Sequence, residues 1–305
     1  MSHGTRAALH LPGAIFFFLA LTLQPSFAEA RPVTMWELQG KSNRIFLLGS
    51  IHLLRSSDYP IPGIIYRAYD EADALIMELD MDDQDPLQTQ AMVQELGMFH
   101  DGGSLQLALG KKTYAEAERL AAELQIPLAS LAQLEPWLAA VTVETIMIMR
   151  MGFELSFGIE SHLMARASSD GKEITGLETE RQQFGMLDSL SPAAQRDMLL
   201  QALSEGTELG ENLDALVEAW RHGDVATLAE SLLEEVAESK ELYETIVADR
   251  NRDWIKQIEA LLDDEDDYLI IVGTLHLVGP DGVPELLKKR GHTVRQMQQL
   301  ENNPG

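Results

Sequence analysis

Tyr268-Leu269-Ile270-Ile271-Val272-Gly273-Thr274-Leu275-His276-Leu277 opens as an unbroken apolar run and closes in a Gly-x-x-His turn. An apolar run without polar alternation reads as a strand covered on both faces, the pattern of a central parallel strand. The same frame stands near the other end of the chain, where Arg44-Ile45-Phe46-Leu47-Leu48-Gly49 leads into Ser50-Ile51-His52-Leu53. Each copy continues through a loop with Asp and Pro into a helix and a further strand. After His52 these are residues 62–72, with Ile64, Ile65, Ala68 and Ala72 at helical spacing, and then 74–80. After His276 they are 283–290, closed by Gly291 as the residue beyond the helix, and then 293–297. Met35-Trp36-Glu37-Leu38 precedes the first copy and joins it through a short turn at 39–43, which is a hairpin signature.

Between the two copies, residues 86–262 read as helical. Ser191-Pro192 marks a helix start, with serine as N-cap and proline at the first helical position. Leu213, Leu216, Val217 and Trp220 form an apolar stripe that ends at Arg221-His222-Gly223, and residues 171–178 interrupt the helices with a turn and a short strand. Met147, Met149 and Met151 read as core on a buried helix. The expected fold is α/β: a mixed sheet built from the N- and C-terminal βαβ-like halves, with a large helical insertion between them. Residues 29–305 are read as a single domain.

Residues 1–28 read as a cleavable export signal. Arg6 gives a positive start, residues 11–23 an apolar stretch too short to span a bilayer, and Ser26-Phe27-Ala28 a cleavage site after Ala28. The expected location is periplasmic or secreted, with no stable membrane span after removal of the signal. A formal net charge of -26, from 23 basic and 49 acidic residues, argues against nucleic acid and anionic membrane surfaces as partners. The absence of cysteine removes disulfides, thiolate nucleophiles and Cys-ligated metals.

Both Gly-x-x-His turns leave the carboxyl end of a strand, the edge at which α/β sheets bind ligands. If the two strands are parallel neighbours, His52 and His276 meet there. Glycine before each histidine permits a close backbone approach, and neutral imidazoles suit a divalent ion such as Mn, Co or Zn. Glu78 ends strand 74–80 at the same edge and is expected to act as ligand or general base; Glu178, which ends the short strand, is a second carboxylate candidate. His100, His162, His222 and His292 read as solvated, and Arg250-Asn251, taken on spacing alone, as a solvated helix face. No Gly-x-Ser-x-Gly elbow accompanies Ser50, so serine catalysis ranks low.

The chain resembles the TraB/GumN family, related to the Tiki membrane proteases. The resemblance covers residues 33–298. It rests on Trp36-Glu37-Leu38, Gly49-Ser50-Ile51-His52-Leu53, Met77-Glu78-Leu79-Asp80, Gly176-Leu177-Glu178-Thr179, Tyr243-Glu244 with Arg250-Asn251-Arg252-Asp253-Trp254, and Gly273-Thr274-Leu275-His276-Leu277-Val278-Gly279. Gly158-Ile159-Glu160 stands where the family usually has Gly-Ile-Asp, a departure that touches no expected ligand. The resemblance implies a metal-dependent hydrolase, by analogy a peptidase acting on a peptide or protein. His52, His276 and Glu78 would hold the metal, and Arg250 or Asn251 would stabilise an oxyanion. Two alternatives belong to other classes: a non-catalytic haem- or metal-binding protein, and an accessory protein in surface-polysaccharide export.

Overall fold

A computed structural model of the chain describes residues 30–206, 209–237 and 239–300. The expected export signal lies outside them. The two ends of the described chain build one six-stranded sheet. Its strands are β1 (Ala30–Gln39), β2 (Arg44–Ser50), β3 (Ala74–Leu79), β4 (Ile174–Glu178), β5 (Tyr268–Gly273) and β6 (Val294–Leu300), in the spatial order β4-β3-β5-β2-β1-β6. β5 runs parallel to both β2 and β3, β4 runs parallel to β3, and β1 is antiparallel to its neighbours β2 and β6. This is the expected mixed α/β sheet.

The apolar runs of β2 and β5 arise because both faces of the sheet are covered. Leu269 and Ile271 of β5 and Phe46 and Leu48 of β2 face one hydrophobic cluster, whereas Ile270 and Val272 with Ile45 and Leu47 face the other. Helix α1 (Gly63–Glu71) carries β2 to β3 over the first face through Ile64, Ile65, Ala68 and Tyr69. Helix α12 (Val283–Lys289) carries β5 to β6 over the second through Val283 and Leu287. The two crossovers leave in opposite directions on opposite faces and so share one hand, as βαβ units require. The expected pseudo-repeat is therefore present, although α12 stops at Lys289 and β6 runs on to Leu300.

The helical middle comprises α2 (Pro86–Gly97), α3 (Leu105–Glu123), α4 (Pro136–Arg150), α5 (Ile159–Asp170), α6 (Glu180–Asp188), α7 (Pro192–Glu205), α8 (Leu209–Arg221), α9 (Val225–Ala237), α10 (Lys240–Tyr243) and α11 (Asp249–Leu261). Ser191 caps α7 through Ala194 N–H, as expected, and Thr179 with Gln182 forms a capping box on α6. A π turn at Glu244–Ala248 breaks the long helix expected around Tyr243 and Trp254 into α10 and α11. The methionine expectation holds in part: Met147 and Met151 pack against core clusters, but Met149 is 55% exposed because it lies on the outer face of α4. At the end of α8, buried Trp220 donates Nε1–H to the carbonyl of Gly49 at 2.6 Å, fixing the point where β2 leaves the sheet. No helix among the described residues is long and apolar enough to cross a membrane.

Candidate functional site

β2 and β5 pair in register, with Gly49 beside Val272 and Ser50 beside Gly273, so both Gly-x-x-His turns leave the sheet at one edge. Thr274 Oγ1 donates to the Ser50 carbonyl at 2.9 Å and ties the two turns together. Gly273 lies at the meeting point: a Cβ placed there would sit 3.2 Å from Glu78 Oε1, 3.4 Å from His52 Nε2 and 3.7 Å from His276 Cδ2. Both histidines and the strand-end glutamate therefore surround one small volume. Neither Gly49 nor Gly273 has a positive φ, so close approach rather than backbone conformation selects glycine at these positions.

Each imidazole is fixed through Nδ1. His52 Nδ1 lies 2.8 Å from Glu160 Oε1, and Ser50 donates its hydroxyl to the same oxygen. Glu160 is buried in the first turn of α5, whose Ile159 N–H bonds the Ile51 carbonyl at 3.1 Å. Gly158 is required here because a Cβ would lie 2.0 Å from the His52 carbonyl oxygen. His276 Nδ1 instead faces Asn251 Oδ1 at 2.7 Å, and the Asn251 amide donates to the carbonyls of His276 and Asp281. His276 Nε2 lies 2.9 Å from Arg250 Nη1. The guanidinium also reaches Glu78 Oε2 at 2.6 Å, both oxygens of Glu178 and the Ile246 carbonyl, and it stacks over Trp254. Glu78 Oε1 accepts the Gly273 N–H at 2.7 Å.

Burial and these partners separate the charges. Glu160 raises the pKa of His52 more than burial lowers it. Burial lowers His276 to about 3, with Arg250 adding to the effect, so this ring is neutral near pH 7. Burial alone would raise Glu78, but surrounding positive charge and the Gly273 N–H hold it down at about 2. With His276 neutral, Arg250 and the protonated His52 are the sources of that charge. Burial dominates for Glu178 and raises it despite the same guanidinium.

All the candidates His52, His276, Glu78, Glu178, Arg250 and Asn251 thus converge on one sheet edge. Two sequence readings are corrected. Arg250 and Asn251 are not a solvated face: Asn251 is fully buried and the Arg250 side chain is only 10% exposed. Arg250 stands four residues after Ile246 and four before Trp254, a spacing that already placed it on the apolar side. Glu160, passed over as an inconsequential departure, contacts His52 directly; an acid in the first turn of a helix that follows a glycine was the available signal. Of the histidines expected to be solvated, His162 bonds Tyr66 Oη at 3.0 Å and His292 bonds Glu259 at 2.8 Å, while His100 and His222 are exposed.

The donor chemistry of His52, His276 and Glu78 suits a divalent ion, and anchoring of each ring at Nδ1 is how metal-ligating histidines are held. The arrangement itself does not fit one. Arg250 N–H occupies His276 Nε2, both Glu78 oxygens are engaged, and no group of three His, Asp or Glu among the described residues has ligating geometry.

A sequence profile of the TraB/PrgY/gumN family matches residues 34–296, a span that includes every residue of this site. The chain belongs to the TraB/PrgY/gumN family. This family member is similar to the uncharacterized protein YbaP of Escherichia coli (strain K12), at 25% identity over 253 residues, 81% of this chain and 89% of that protein. YbaP of Shigella flexneri is 24% identical over 248 residues, 79% of this chain and 87% of its own length. An uncharacterized protein of Treponema pallidum (strain Nichols) is 24% identical over 284 residues, 87% and 83% respectively. No solved structure matches this TraB/PrgY/gumN member.

Proposed function

We propose that the chain is an exported hydrolase of acyl–heteroatom bonds, by family resemblance a peptidase, with His52 as its general base. The observation that carries this reading is the His52–Glu160 pair. A buried carboxylate holds Nδ1–H and leaves Nε2 directed at the cavity, the base-and-orienter arrangement of nucleophilic and hydrolytic sites. In its neutral form, which prevails above the raised pKa of about 9, His52 takes a proton from water as the water oxygen attacks the carbonyl, Glu160 balances the imidazolium, and the proton then passes to the leaving group. Glu78 is the weaker candidate for base, because a carboxylate held near 2 with both oxygens engaged has little affinity for a proton.

Every N–H of Arg250 is occupied, so its part is to neutralise Glu78 and Glu178. An oxyanion role would require it to exchange a partner. Asn251 likewise spends its amide on two carbonyls and positions His276. The divalent ion (Mn, Co or Zn) is a separate proposal. It requires Arg250 to leave His276 Nε2, and no step above depends on it. The deciving measurement is turnover of acyl esters and peptides by the wild-type chain and by His52→Ala, with metal content measured on both; equal turnover in the two excludes His52 as the base.

A further inference from the structure

The site opens into a cavity of about 470 Å³ whose walls differ sharply in chemistry. Its floor is the cluster of His52, Glu78, Arg250, Gln183 and His276, and the remainder of its lining is aliphatic apart from Glu144 and the tied-down Ser50 and Thr274. Ile148 of α4, Met186 of α6, Met198 of α7, Leu216 of α8, Leu232 of α9 and Ile246 of the π turn all face it, each only half-buried. Among the described residues, no Phe, Tyr or Trp lines the cavity. The volume is that of a small-molecule site rather than a packing defect. Met149 and Leu155, two of the large apolar side chains left most exposed among the described residues, flank the connection from α4 to α5 that abuts His52.

We propose that this cavity takes an unbranched acyl chain, with its carbonyl at His52 and its methylenes along the aliphatic wall. This rests on the hydrolase reading for the chemistry but not for the binding, and it puts an acyl chain in place of the peptide that the family resemblance implies. A peptide threaded along that wall would bury backbone N–H and C=O groups against side chains that offer almost no partners, at a cost an acyl chain does not incur. An aliphatic wall without Phe, Tyr or Trp among the described residues, together with two flexible methionines, suits a chain of methylenes. In the reaction the water oxygen bonds to the acyl carbon and the acyl–heteroatom bond breaks. The proton held by His52 goes to the departing alcohol or amine, leaving a fatty acid.

The test uses the purified mature chain with butyryl, octanoyl and dodecanoyl p-nitrophenyl esters below their micelle concentrations, with and without added divalent metal. An N-acyl amide of each chain length tells an acylated amine from an ester source, and a leucine-rich peptide serves as competitor. Binding of the corresponding fatty acids is followed separately by displacement of a fluorescent acyl probe. We expect kcat/KM and fatty-acid affinity to climb by about fourfold per methylene until the chain fills the cavity, and Met186→Trp to shorten the preferred chain. Hydrolysis indifferent to chain length, or a leucine-rich peptide that outcompetes the dodecanoyl probe, overturns the acyl proposal and leaves the hydrolase reading standing. Chain-length-dependent binding without turnover of any ester or amide upholds the acyl site and removes the hydrolase.

Discussion

The two Gly-x-x-His loops leave adjacent parallel strands in the same frame, yet their imidazoles live in opposite environments. His52 is 57% exposed within the cavity and is anchored by a carboxylate that raises its pKa, whereas His276 is buried, anchored by a neutral amide and held near 3. The motif sets where an imidazole stands. The group at Nδ1 and the access of water set what it can do. One ring is suited to moving protons and the other to holding its place.

The sharpest test of this contrast is to remove each ring. His52→Ala is expected to lower turnover by about 10²- to 10⁴-fold, with some loss of stability because buried Glu160 loses the ring that faces it. His276→Ala strands Asn251 and Arg250 and is expected to cost about 1–3 kcal/mol in urea unfolding. Two variants with the same profile in both assays would erase the distinction. Next in size is Arg250→Leu, which leaves Glu78 and Glu178 without their shared cation and is expected to destabilise by about 3–5 kcal/mol; a loss under about 1 kcal/mol would mean that the two glutamates do not depend on it.

The glycines extend the comparison. A Cβ at Gly49 meets Thr34 Cγ2 at 2.7 Å and Thr274 Oγ1 at 2.9 Å inside the fold, so Gly49→Ala is expected to cost about 1–3 kcal/mol of stability. At Gly273 the added methyl points among the site groups, so Gly273→Ala is expected to lose activity with little change in unfolding.

Proton linkage gives a smaller effect. Below pH 6.5 the unfolded chain binds a proton at His276 that the folded chain refuses until about 3. The contribution to stability should therefore fall as pH drops through that window, by at most about 1.4 kcal/mol per pH unit. Urea unfolding at pH 7 and pH 5.5 measures it, and His276→Gln should flatten the slope. Glu160→Gln tests the other ring: removing the charge that raises His52 to about 9 should move the acid limb of the pH–rate profile to lower pH, and an unmoved limb would separate Glu160 from that titration.

The sheet and the meeting of the histidines were legible because a strand buried on both faces has no alternation to hide, and because two copies of one frame imply one edge. β1 and β6 were seen only in part: at the rim of a sheet, residues such as Arg31 and Gln298 hold their place in the ladder while being polar, and so carry no apolar signature. Arg250 was misread because a charged side chain on an apolar stripe looks like the edge of that stripe until its partners Glu78 and Glu178, distant in sequence, are in view. Glu160 was missed for the same reason: a lone acid beside a helix start is ordinarily a favourable charge at the helix dipole. Met149 shows the converse, an apolar residue in an apolar run that nevertheless faces outward.

The position of β5 between β2 and β3 has a consequence for timing. A fragment that stops before Tyr268 would hold two strands separated by a gap one strand wide, each with a bare hydrogen-bonding edge. The late strand must slot into that gap, closing a very long loop as it does so, and such non-local pairing is slow. Chains that stop short of Tyr268 accordingly carry His52 but lack His276, so the two imidazoles cannot meet before β5 takes its place between β2 and β3.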